Sequence, residues 1–159
     1  MSDYTETTTI TTIKKAIDGF LLSCKVEGKS YGTIECYSDK LKGFLWYCDN
    51  YDLPDDIKAI ETNHLRSFLA YLRETPHRFN SNCPRAKKPI NSTTIQKYYR
   101  ALSALINWSI SEGIIDVNPL VKIRVPRAEK KVIKALSSKE VNQIINALDN
   151  TFEGIMYNI

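Results

Sequence analysis

Histidine is nearly missing from these 159 residues, His64 and His77 being the only two. Each stands apart from any Ser, Cys or Asp arrangement that would make a nucleophile and its base, so packing or surface roles are expected for both. The four cysteines, Cys24, Cys36, Cys48 and Cys83, show neither C-x-x-C spacing nor a histidine at zinc-ligand distance. That excludes the usual structural zinc sites and leaves reduced thiols packed as small hydrophobes. The six glycines are scattered rather than gathered into a phosphate-cradling loop, so no cofactor and no metal is expected. Apolar runs are as short as Phe20-Leu21-Leu22, far below the roughly 20 residues that span a bilayer. Residues 1–12 are rich in Ser and Thr, with Asp3 and Glu6, and lack the basic-then-apolar order of a secretory signal. A folded cytoplasmic chain with no membrane partner is the expectation, and its first residues, 1–11, read as a loose arm.

What is present in quantity is positive charge in two places. Arg73 to Arg100 holds seven basic residues against Glu74 alone, and Lys122 to Lys139 holds seven against Glu129 alone. The formal net charge is only +4, so the rest of the chain is acidic. Clustering of this kind suits a polyanion, whose condensed counterions are released when its phosphates are neutralised. Two solvated loops that only aid solubility would look the same from charge alone.

The apolar pattern is helical throughout. Ile10, Ile13, Ile17, Phe20, Leu21 and Cys24 mark a first helix stopped by Gly28. Ser30 can cap a long second helix with Ile34, Tyr37, Leu41, Phe44, Leu45 and Cys48 inward, and Thr62 can cap a third carrying Leu65, Phe68, Leu69 and Leu72. Three prolines between residues 76 and 92 predict a long loop. Asn91 or Ser92 opens a fourth helix with Ile95, Tyr98, Tyr99, Leu102, Leu105 and Ile106 inward. Thr93, Lys97, Arg100 and Asn107 recur on its other face, which is basic and hydrogen-bonding, while Trp108, Ala101 and Ala104 read as core. After Asn118-Pro119 an extended basic strap leads to Ser137-Ser138-Lys139-Glu140, a capping box opening a helix with Val141, Ile144, Ile145 and Leu148 on one side. Phe152, Ile155, Met156 and Ile159 add a further apolar stripe, so this second unit looks begun and unfinished.

In order along the chain, Ser30-x-x-Thr33-x-x-x-Tyr37-x-x-x-Leu41-x-x-Phe44, Thr62-x-x-x-Arg66-x-Phe68-Leu69 and Ser92-Thr93-Thr94-Ile95 leading to Leu102 and Trp108 resemble the core-binding domain of tyrosine recombinases of the phage-integrase type. Glu112-Gly113-Ile114-Ile115-Asp116-Val117-Asn118-Pro119, then Val125-Pro126-Arg127, Lys130-Lys131 and Ala135-Leu136-Ser137-Ser138-Lys139-Glu140-Val141, resembles that family's helix end, basic linker and opening catalytic-domain helix. The resemblance covers about residues 10–150. It implies an all-α chain: a flexible arm over 1–11, a four-helix SAM-like core-binding domain over 12–118, a basic linker over 119–136, and the truncated start of a catalytic domain over 137–159. The loop over 76–92 is longer than the compact family pattern.

The resemblance further implies one half of a clamp around double-stranded DNA, nucleoid-associated, working with other recombinase protomers. Thr93, Lys97, Arg100 and Asn107 are the expected main contacts. Lys29, Ser30, Tyr31, Thr33 and Lys40 form a second set on helix two, and Lys87 and Lys88 in the loop lead into helix four. Arg124, Arg127, Lys130 and Lys131 would follow the backbone from the linker. Most contacts should be to phosphate, with base reading by Arg100, Asn107 or Lys97. The Thr-Gly-Leu-Arg-like motif, hairpin lysine, His-x-x-Arg segment and late tyrosine that such enzymes use for strand cleavage do not occur, so no catalytic residue is expected here. Tyr157 lies on an apolar stripe and reads as packing. A helical protein-interaction module whose basic segments meet an acidic partner is the competing reading, and a self-sufficient enzyme is disfavoured.

Overall fold

The computed structural model describes residues 11–76, 79, 90–127 and 137–156, with side chains to residue 147 in the last helix. Among these residues five α-helices follow in order, α1 Ile13–Val26, α2 Tyr31–Asn50, α3 Thr62–Glu74, α4 Ser92–Ser111 and α5 Ser138–Met156, with a 3-10 turn at Ile57–Ala59. Among the described residues the only β pairing is an isolated bridge between Thr12 and Asp56. It is held by Ile13 N–H donating to the Asp55 carbonyl at 2.8 Å and Ile57 N–H to the Thr11 carbonyl at 3.1 Å. The chain divides into two units, Met1–Glu129 with α1 to α4 and Lys130–Ile159 with α5.

Local chemistry sets most helix ends. Thr12, Ser30 and Asn91 each accept a backbone N–H in the first turn of the helix that follows, satisfying donors with no intrahelical partner. After α1 and α4 the chain turns through Gly28 at φ +74° and Gly113 at φ +67°, a left-handed conformation that a Cβ would penalise. The start of α3 differs from the expectation. Its N-cap is Glu61 rather than Thr62, and His64 Nδ1 accepts the Glu61 N–H at 3.1 Å. Thr62 is the first helical residue, and its hydroxyl leaves the helix to donate to the Pro119 carbonyl at 2.7 Å.

The core of the first unit is where the four apolar stripes meet. α4 runs through its middle, burying Ile95, Tyr98, Ala101, Leu102, Leu105 and Ile106. α1 contributes Ile13, Ala16, Ile17, Phe20 and Cys24, α2 contributes Leu41, Phe44, Tyr47 and Cys48, and α3 contributes Leu65, Phe68, Tyr71 and Leu72. Phe79 donates its N–H to the Tyr71 hydroxyl at 2.8 Å and sets its ring 5.4 Å from that of Trp46. Its φ of +58° is unusual for a bulky residue, and these two contacts hold it there.

Trp108 explains why a glycine stands within α1. A Cβ at Gly19 would come within 2.9 Å of the Trp108 ring, which also packs against Phe20 at 6.0 Å. Alanine there would gain up to about 1 kcal/mol of helix propensity against that clash. Valine adds bulk without the gain, so Gly19→Val is expected to cost about 2 kcal/mol in urea unfolding. An unchanged midpoint would show that the Trp108 ring moves aside freely.

The described thiols are Cys24 and Cys48, both buried, and Cys36, half-buried. Burial, with Asp49 and Asp55 adding to it, pushes the Cys48 thiol up from its ordinary 9.0 to about 12, and burial also raises Cys24. The folded chain keeps these thiols protonated where the unfolded chain ionises them. The Cys48 contribution is therefore intact below pH 9.0 and is lost as pH climbs toward about 12. Urea midpoints should decline across that window, and less steeply in Cys48→Ala; equal slopes in the two chains would contradict the assignment.

In the second unit the capping box forms as expected. Glu140 N–H donates to Ser137 Oγ at 3.4 Å, while the Ser137 N–H and hydroxyl donate to Glu140 Oε2 at 2.8 and 2.7 Å. These bonds hold the Glu140 carboxyl below its ordinary pKa. The two apolar segments expected after residue 137 form one continuous helix, on which Val141, Ile144 and Ile145 are exposed.

Candidate nucleic-acid interface

The fourth helix carries the face that periodicity predicts. Thr93, Lys97, Arg100 and Asn107 are all exposed, opposite the buried stripe. No Asp or Glu occurs anywhere in Ser92–Ser111, so Lys97 and Arg100 project from a helix with no carboxylate of its own. Asn107 is less free than its neighbours. Its Oδ1 accepts from Asn118 Nδ2 at 3.3 Å, while Asn118 Oδ1 accepts the Leu120 N–H at 2.8 Å. One acceptor of Asn107 is thereby engaged, and a bidentate approach to adenine needs both ends of the amide.

Beside this face lies the first stretch of the basic strap, tied down by side chains of α3 and α4. Thr62 bonds the Pro119 carbonyl, Arg66 Nη2 donates to the Lys122 carbonyl at 3.3 Å, the Tyr99 hydroxyl to the Ile123 carbonyl at 3.1 Å, and Gln96 Nε2 to the Pro126 carbonyl at 2.9 Å. Leu120 is buried, and Ile123 packs on the core. Gln96 and Tyr99 sit one turn apart on α4, and Arg100 follows Gln96 by four residues, so the strap runs along the flank of the basic face. Arg124 and Arg127 are exposed on it.

On the other flank, Lys40 of α2 places its ammonium 5.2 Å from the ring centroid of Tyr98, a cation–π contact that holds the charge at the seam between α2 and α4. The rest of the second set is largely occupied locally. Lys29 pairs with Glu27 at 2.6 Å, which raises the Lys29 pKa and lowers that of Glu27. Ser30 Oγ accepts the Thr33 N–H at 3.3 Å and lies 2.8 Å from the Thr33 hydroxyl. Tyr31 is 80% exposed, a ring presented to solvent at the start of α2.

The structure thus brings the α4 residues, Lys40, Arg124 and Arg127 into one neighbourhood. Lys87, Lys88, Lys130 and Lys131 lie outside the described residues, as do Cys83, His77 and Tyr157. Sequence reasoning read Tyr99 only as an inward ring, Arg66 only as part of a resembling motif and Gln96 not at all; their partners are backbone carbonyls 24 to 56 positions away, and no local pattern marks such bonds. Arg73, counted only as a member of the first basic cluster, lines a groove together with Arg127. Among the described residues there is no group of three or more His, Cys, Asp or Glu able to hold a metal ion, and no helix long and apolar enough to cross a membrane.

Comparison with known proteins gives a consistent set of relatives. The chain is 24% identical over 136 residues to the tyrosine recombinase XerD of Listeria innocua, covering 85% of this chain and 41% of that protein. It is 27% identical to a tyrosine recombinase of Thermosipho africanus, covering 80% of this chain and 41% of the relative, and 26% identical to the tyrosine recombinase XerC of Proteus mirabilis, covering 85% and 40%. The chain therefore spans about two fifths of the length of the curated relatives it matches. No solved structure matches it significantly. The family model of the phage integrase SAM-like domain matches residues 8–125, a span that takes in all four helices of the first unit and most of the strap tied to them, and the chain belongs to that family.

Proposed function

We propose that residues 12–118, with the basic linker that follows them, form the duplex DNA-binding part of a site-specific tyrosine recombinase and that α4 is its principal contact element. The observation that carries this reading is the exposed, carboxylate-free face of α4, with Lys97 and Arg100 at its centre, Lys40 on one flank and Arg124 and Arg127 on the other. Such a strip suits phosphates lining a groove, and Lys97 and Arg100 can also pair with purine edges in it. Asn107 reads with its amide donors, since its oxygen is engaged by Asn118. Thr93 lies on the same face one turn before Lys97, and Tyr31 stands ready to lie against a sugar or base. Lys29, Ser30 and Thr33 contribute through the shape of the α2 start more than through free donors. Lys87, Lys88, Lys130 and Lys131 are further candidate phosphate contacts by their charge and their place in the sequence.

The relatives are named as tyrosine recombinases, which supports recombination as the parent activity. On this reading several protomers act together on one duplex in the cytoplasm, at the nucleoid. In this reading α5 opens the catalytic domain, and strand cleavage belongs to motifs that do not occur in these 159 residues. The chain binds and orients DNA without cutting it.

Lys97→Ala and Arg100→Ala each test this directly. Both side chains are exposed, so thermal unfolding should be unchanged while duplex affinity falls. A lost base contact should cost about 1–3 kcal/mol and relax preference at one position, whereas a lost phosphate contact should weaken all duplexes alike. Wild-type affinity in both variants, by fluorescence anisotropy, would remove α4 from the interface.

A further inference from the structure

Away from the centre of the α4 face, Arg73 at the end of α3 and Arg127 on the strap open onto one groove of about 470 Å³, lined also by Ile90, Ser92 and Ile95. Its described lining contains no carboxylate, and neither guanidinium takes part in an ion pair among the described residues. An anion entering the groove meets two positive residues and no competing carboxylate in the described lining. Their approach is built into the fold. Gln96 holds the Pro126 carbonyl at 2.9 Å, which places the residue next to Arg127 against the first turns of α4. Arg73 projects from the last turn of α3, whose buried residues Tyr71 and Leu72 anchor it to the core. The floor is apolar, since Ile95 is buried, so the polar chemistry of the groove lies mainly with the two arginines and Ser92.

We propose that Arg73 and Arg127 jointly grip a single phosphate group in this groove, and that the group is supplied by the backbone of bound DNA. The guanidinium fork matches phosphate oxygens in a bidentate manner, and two forks on one phosphate fix the register of the backbone against α4 without reading sequence. This inference rests on the DNA-binding reading above and adds to it an anchor point at the α3 end of the interface.

Arg73→Gln, Arg127→Gln and the double variant of the whole chain, titrated with salt against two duplexes of unrelated sequence, test it. Each single variant should bind both duplexes about tenfold more weakly, the same factor on each. Because one phosphate is shared, the double variant should lose about one released counterion, a slope change near 0.9 rather than 1.8. Its affinity loss should fall short of the product of the single losses. A slope change near 1.8 with multiplicative losses would mean two separate phosphates and overturn the shared grip. Wild-type binding in all three variants would overturn the anchor while leaving the DNA-binding reading intact, whereas a wild-type chain that binds neither duplex would end that reading and this inference together. Inorganic phosphate provides the remaining arm. If it shifts the Ser92 and Ile95 amide resonances of the wild type alone while duplex affinity is equal in all chains, the groove serves a free anion, and the backbone assignment falls.

Discussion

Replacing Phe68 with alanine is expected to cost the first unit about 3–5 kcal/mol, close to the whole stability of a small domain of about 5–15 kcal/mol. Phe68 is fully buried, with its ring 5.1 Å from those of Phe44 and Tyr47 on α2 and 5.7 Å from that of Tyr98 on α4. It is the point at which α3 joins the other helices. α3 has only 13 residues, a length at which an isolated helix is marginal in water, so its persistence depends on this packing. The loss should reach the interface as well, because Thr62 and Arg66 of α3 hold the strap that carries Arg124 and Arg127. Urea unfolding followed by circular dichroism would read the effect directly. A shift of less than about 1 kcal/mol would mean that the neighbouring rings close over the cavity, contrary to the usual stiffness of a packed core.

Duplex affinity should fall by several hundredfold when monovalent salt rises from about 50 to about 200 mM. If Lys40, Lys97, Arg100, Arg124 and Arg127 each neutralise a phosphate, about five counterions are released and the logarithmic slope is near −4.5, or about 500-fold for a fourfold change in salt. Lys29 is left out of this estimate because Glu27 already neutralises it at 2.6 Å. The same slope should appear on unrelated duplexes at lower absolute affinity, since phosphates carry no sequence information. An acidic protein partner would also be sensitive to salt, but would not be displaced by arbitrary duplex DNA. A slope near −1, or no binding to unrelated duplexes at any salt, would reject the extended basic interface.

The sequence was most informative where one turn of chain contains both partners of an interaction. Ser30, Asn91 and Ser137 cap the helices that their positions announce, and Gly28 and Gly113 end two helices by taking a left-handed turn. The same locality made the two faces of α4 readable, because helical periodicity alone puts Ile95, Leu102 and Ile106 on one side and Lys97 and Arg100 on the other. The α3 start shows where locality fails. Thr62 has the chemistry of a cap, yet a carbonyl 57 residues away takes its hydroxyl, and His64 serves Glu61 instead.

Availability of the candidate contacts was decided by bonds that charge and periodicity do not show, some local and some distant. Lys29, Ser30 and Asn107 are polar and exposed and Thr33 is polar and half-buried, but Glu27, the cap of α2 and Asn118 claim parts of their bonding capacity. In the sequence the stretch from Pro119 to Arg127 is a featureless basic linker. Folded, it is fastened along α3 and α4 through four carbonyls, and this sets Arg127 and Arg73 on one groove although 53 residues separate them. Composition and periodicity thus specify an all-helical chain with a basic face. Which of its charges converge depends on hydrogen bonds between distant segments that form only once the core has brought them together.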